Sequence, residues 1–150
     1  MKQHVIGWAL GAVLLAQVAQ ADPWQEPARG SQLRSDLMDA LRPHAEWALG
    51  APVEFVIHEL RWQGDKAFGM LTAQRPGGGP IDMLNSPMVA RGEFDPELID
   101  TPHIEAFWVK SGTTWVTLHW AVGATDLWYQ YEPICEIFAP LIPEACAARP

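Results

Sequence analysis

Two glycine-centred breaks, each set between runs of strand-forming residues, restrict the fold more than anything else in the chain. PVEFVIHELRW and KAFGMLTAQ are separated only by Gln63-Gly64-Asp65, and IEAFWVK and TWVTLHWAV only by Ser111-Gly112-Thr113. Runs rich in Val, Ile, Phe, Trp and Thr that end at so short a break form hairpins, because glycine adopts the positive φ that a tight reversal needs. Two hairpins supply four antiparallel strands.

Ahead of them, SQLRSDLMDALRPHAEWALG (residues 31–50) sets Leu33, Leu37, Leu41, Ala45 and Ala48 at near-helical spacing, with Ser31 placed to cap the N-terminus. The apolar stripe keeps its phase across Pro43, which predicts one kinked helix rather than two, ended by Gly50 and Pro52. The expected class is therefore α+β: one kinked N-terminal helix packed on a four-stranded antiparallel sheet. Residues 75–103, between the hairpins, contain five prolines and four glycines. A connection this long is expected to be a surface excursion, or alternatively a lid or partner-binding loop. Asp95-Pro96-Glu97 can open a helical turn within it.

The fourth strand predicts two faces, with Val116, Leu118, Trp120 and Val122 against the helix and Trp115, Thr117, His119 and Ala121 on the other side. On the third strand, Trp108 is expected to join that second face.

The N-terminus carries Lys2, an apolar run over residues 5–18, and Ala19-Gln20-Ala21 before Asp22. That order is the pattern of a cleaved secretory leader. The run is shorter than the ~20 residues a membrane span requires, so no stable anchor is expected after cleavage. The expected organisation is a signal peptide over residues 1–21 and one exported domain over 22–150, periplasmic or secreted, in a bacterium. Loss of the leader moves the net charge from −8 to −9. Without a basic cluster, that charge repels phosphate backbones and excludes nucleic acid as a partner.

Cys135 and Cys146 stand in CEIFAPLIPEAC. In an oxidising compartment such a pair closes on itself, and loop-closure entropy makes the bridge worth about 3 kcal/mol. A redox centre would show C-x-x-C, and zinc would need further ligands.

Tryptophan is the unusual component, with seven beyond the leader. Large rings with a polar edge favour cores and interfaces. Trp47 and Trp120 are assigned to the core, leaving Trp62, Trp108, Trp115 and Trp128, with Tyr129, as candidates for a ligand-binding surface.

In HWAVGATDLWYQY, Gly123 lets the chain leave the fourth strand, Thr125 can cap a following helix, and Asp126 suits its first turn. The catalytic alternative has Asp126 orienting His119 as a general base. His58 and His119 could share a metal only if their strands were neighbours and a third donor were at hand, so neither metal nor cofactor is expected. His103-Ile104-Glu105 is an alternating pair on one side of a strand. No nucleophile signature or phosphate-cradling loop occurs, and among 18 acids no carboxylate pair stands out.

Taken together, LMDALRP, PVEFVIHELRWQGDKAF, QRPGGGPID and SGTTWVTLHWAVGATDLWY resemble a group of small exported bacterial proteins without an assigned activity. The resemblance covers most of residues 33–130 and implies secretion and a single domain. A helix leading into a twisted antiparallel sheet also resembles cystatin and NTF2-like architectures, which host several unrelated functions.

The expected function is that of a non-enzymatic binding or accessory protein of the cell envelope, taking a small molecule, peptide or envelope protein on its aromatic sheet face and the 75–103 loop. The alternatives are a small hydrolase or isomerase using His119 and Asp126, and an inhibitor of an envelope enzyme.

Overall fold

A computed structural model describes residues 23–98 and 101–147. The leader expected over residues 1–21 lies outside the described residues. Helix α1 runs Gln32–Leu49, and the Ser31 side chain accepts from the Arg34 backbone N–H, 3.3 Å, as its N-cap. It continues through Pro43, and Leu37, Leu41, Ala45 and Ala48 form its buried stripe. Gly50, at φ 80°, ends it. The last carbonyls of a helix have no partner within it. Here Arg75, at the end of the first hairpin, donates to the carbonyls of Leu49 (3.0 Å), Gly50 and Pro52 (3.0 Å).

The sheet is an antiparallel meander in the order β1 (Glu54–Gln63), β2 (Lys66–Gln74), β3 (His103–Ser111), β4 (Thr114–Val122). Gly64 (φ 59°) and Gly112 (φ 61°) occupy the two hairpin turns. Helix α1 covers one face of this sheet, where Leu60, Leu71, Ile104, Trp108 and Val122 meet its apolar stripe.

The 75–103 segment is not a bare excursion. A helical turn at Pro87–Ala90 (α2) and a 3-10 turn at Pro96–Leu98 lie within it, the latter where Asp95-Pro96-Glu97 suggests one. Ile81, Met83 and Met88 insert into the core beneath α1 and fix the segment to the helix side.

The predicted strand faces need correction, and the cause is a bulge. Trp108 pairs with Thr117 while Phe107 pairs with His119, so Leu118 is an extra residue on β4. An extra residue reverses the alternation of everything before it. Trp115 and Thr117 therefore join Trp120 and Val122 on the helix side, whereas Val116 and Leu118 are exposed. Trp108 also faces the helix, 0 % exposed. Its ring lies over Gly69, where an added Cβ would stand 3.1 Å from the indole.

The core assignment of Trp47 is likewise overturned: it is 63 % exposed and stacks under Arg91, 4.3 Å from the ring centroid. Two residues past Ala45, it sits roughly half a turn around the helix from the buried stripe. Trp120 is half-buried against α1, with His44 5.4 Å away.

Among the described residues the outer sheet face is covered only in part. After β4 the chain makes a 3-10 turn at Trp128–Gln130, then helices α3 (Glu132–Phe138) and α4 (Pro143–Ala147). Ile134, Phe138, Leu141 and Ile142 bury Phe68 and Phe107. Cys135 and Cys146 form the expected disulfide, with Cα atoms 5.6 Å apart, and it clamps the two short helices together. Among the described residues no helix is long and apolar enough to cross a membrane.

Candidate functional site

The uncovered part of the outer face contains a half-open cavity of about 440 Å³. That is within the range of small-molecule sites, roughly 300–1,000 Å³. Its floor is a cross-strand row in which Met70 of β2 lies between Glu59 of β1 and Glu105 of β3. Paired residues of an antiparallel sheet share a face, so the register itself brings both carboxylates to the same side. His58 and His103 border the open end. His58 is the extra residue of a second bulge, between Ile57 and Glu59, which turns two successive β1 side chains toward the cavity. It contacts the Thr72 hydroxyl at 2.7 Å.

One segment walls the cavity and a second supports its lining from behind Glu105. On one side, residues before α1 form a strap held to β1 by paired backbone hydrogen bonds between Gln25 and Trp62, 2.9 and 2.8 Å, which brings Trp24 and Glu26 to the rim. The second is the turn after β4, where Trp128, outside the cavity lining, donates its indole N–H to Glu105 Oε2, 3.2 Å. Trp128 meets Phe107 edge to face and Tyr129 edge to face, at 5.8 and 5.7 Å between ring centres, so its orientation is set by packing.

Arg61 joins strap, sheet and tail. Its guanidinium binds the Glu59 carboxylate, donates to the Leu141 carbonyl and Glu144 at 2.6 Å each, and lies 4.7 Å from the Trp24 ring centre. Burial, reinforced by the negative charges of Glu105, Glu144 and Glu59 and opposed by Arg61, pushes the Tyr129 phenol above the usual tyrosine range.

Glu105 is 6 % exposed. Its Oε1 lies 3.5 Å from His103 Nε2, but that nitrogen donates to the Ala124 carbonyl, 2.7 Å. The other ring nitrogen, Nδ1, meets the Thr101 hydroxyl at 2.8 Å.

The residues singled out in the sequence are dispersed. Trp128 is beside the cavity through Glu105, and Tyr129 packs beneath it in the outer core. Trp62, Trp108 and Trp115 lie on the opposite side of the sheet. Trp115 borders a separate hollow with Asp36 and Asp39, and Trp62 a small one with Pro23 and Gly64. Of the described residues of the 75–103 loop, His103 at its end lines the main cavity and the others do not. No hydrogen bond or ion pair joins His119 to Asp126 among the described residues; His119 is half-buried beside Phe107 and Asp126 is exposed. The proposed caps are absent too, since the turn after β4 begins at Trp128 with Leu127 before it and no side-chain cap. His58 and His119 stand on β1 and β4, the two opposite edges of the sheet, and cannot share a metal. Among the described residues no group of three or more His, Cys, Asp or Glu side chains could hold a metal ion.

Five cavity residues, Trp24, His58, Glu59, Met70 and Glu105, were not singled out as a set by sequence. Only the His103-Ile104-Glu105 alternation gave a signal, and it correctly put His103 and Glu105 on one side. The arrangement defines a ligand-sized, acidic, aromatic-walled cavity on a sheet face. Comparison with protein-family models, with curated proteins and with solved structures finds no match.

Proposed function

We propose that this chain is an exported binding or accessory protein of the cell envelope, with the outer-face cavity as its ligand site. The observation that carries the reading is the cavity itself: about 440 Å³, with an apolar floor at Met70, an aromatic rim at Trp24, and Glu105 aimed into it. Ligand sites combine such apolar walls with a few convergent polar groups. The disulfide and the leader-like N-terminus support export, because bridges of this kind form and persist in oxidising compartments. The rigid walls support binding without large rearrangement. The strap is fixed by two backbone hydrogen bonds, and the tail, closed on itself by the disulfide, is held to the sheet by Phe138 packing and the Arg61 bond to Leu141.

The test is a fragment screen on isotope-labelled protein, read at the tryptophan indole N–H signals. Hits are expected to shift the signals of Trp24 and Trp128 while leaving Trp108 unmoved. Hits that gather instead at Trp47 or Trp115 would transfer the site elsewhere and end this reading.

A further inference from the structure

We infer that the cavity takes a small molecule bearing a primary or secondary ammonium group on an apolar body, with an ammonium N–H donating to Glu105 Oε1. This rests on the reading of the cavity as the ligand site and adds the chemical class of its occupant. Charge bookkeeping at the site singles out one carboxylate. Glu59 is bound by Arg61, and Glu26 is 3.7 Å from Arg34. Arg61 is itself shared with Glu144. Among the described residues no lysine or arginine pairs with Glu105; Oε2 accepts from the neutral indole N–H of Trp128, and the one basic group near the carboxylate is the His103 ring, 3.5 Å from Oε1. Oε1 has no hydrogen bond among the described residues, on a side chain that is more than nine-tenths buried and lines the cavity.

A buried carboxylate is costly unless a cation or several donors meet it. Among the described residues only the His103 ring approaches Oε1, at 3.5 Å and with that nitrogen directed at the Ala124 carbonyl, so a stronger complementary group is left to the ligand. An N–H-bearing ammonium answers both needs, charge and hydrogen bond; a quaternary ammonium answers only the first. An anion would face the surplus of acid over base that Glu59, Glu144 and Glu105 leave around Arg61. The apolar body follows from Met70 on the floor and Trp24 on the rim, whose ring already carries one cation, Arg61. The net charge of −8 favours arrival of a cation from solution.

Phenethylamine, phenethyl alcohol and phenylacetate share a skeleton and differ in the group presented to Glu105. Titrated into the wild-type protein and followed at the Trp24 and Trp128 indole N–H signals, the amine is expected to bind at least about tenfold more tightly than the alcohol, and phenylacetate most weakly. Glu105→Gln keeps shape and the Trp128 contact but removes the charge; it is expected to reduce the amine to the level of the alcohol and to leave the alcohol within about twofold of wild type. Equal affinities for amine and alcohol in the wild-type protein overturn the ammonium assignment, a comparison that needs no variant. If either neutral or anionic probe still shifts Trp24 and Trp128, the cavity stands as the ligand site and only the chemical class fails. Silence from all three probes overturns the ligand-site reading itself. A lysine-containing tripeptide completes the set: binding tighter than phenethylamine would keep the ammonium chemistry but overturn a small molecule as its source.

Discussion

Alanine in place of Trp108 is expected to lower the unfolding free energy by about 3–5 kcal/mol, the range for removing a large aromatic ring from a closed core. Trp108 is 0 % exposed and its indole fills the space left above Gly69, with Leu60 on the other side of that glycine. The unbroken alternation of β3 gives the ring its direction: Trp108 follows Ile104 and Ala106 on the helix side and pairs there with Ala67 of β2. Trp108→Phe should cost less, about 1–2 kcal/mol, because it also removes an indole N–H that has no acceptor among the described residues. Denaturant unfolding of the two variants measures this directly. An alanine variant as stable as wild type would mean that the ring is on the surface and the sheet is turned the other way.

Arg61→Ala is the second large effect, expected at about 3 kcal/mol. The side chain is only 11 % exposed and serves five groups at once: Glu59, the Leu141 carbonyl, Glu144, and the rings of Trp24 and Phe68. Removing one member of such a cluster leaves Glu59 without its cation and frees the tail from β1; pairs of this kind cost about 3–5 kcal/mol when broken in the interior. Glu144 is largely exposed, which screens its share and sets the expectation at the lower end. Arg61→Lys should recover less than half of the loss, since an ammonium cannot reproduce the fork that reaches Glu59 and Leu141 together. The loss is read by thermal unfolding, and limited proteolysis should cut first within residues 132–147. A tail that remains protected in Arg61→Ala would show that the disulfide and the Phe138 packing hold it alone.

What could be read from the sequence was whatever local chemistry decides. The hairpins follow from Gly64 and Gly112, the helix from the Leu37, Leu41, Ala45 stripe and the Ser31 cap, and the bridge from two cysteines spaced for a short loop. The faces of the strands could not be read with the same security. Alternation identifies a face only while the ladder is unbroken, and the extra residues His58 and Leu118 leave no mark in the composition of β1 or β4. The bulge accounts for Trp115, which is inside and not outside; Trp108 lies on an unbroken strand whose two faces are both largely apolar, so its sequence does not say which one meets the helix.

The site was harder still. Glu59, Met70 and Glu105 come from three strands and meet through register alone, and Trp24 reaches the rim because the strap pairs with Trp62. Trp128 could be singled out as an unplaced ring near the strand end, but its partner Glu105 could not, because acids are abundant in this chain.

Met70→Trp tests the cavity most directly. Met70 is half-buried at the centre of the floor, and an indole there occupies the space between Glu59 and Glu105 without touching the helix-side core. Binding of the fragments that shift Trp24 and Trp128 in the wild-type protein should be lost, by at least about tenfold in affinity, while the unfolding midpoint stays within about 2 °C, as expected of a substitution that empties no core space. Undiminished binding in a folded Met70→Trp protein would contradict the assignment of the outer-face cavity as the place where this protein meets its ligand.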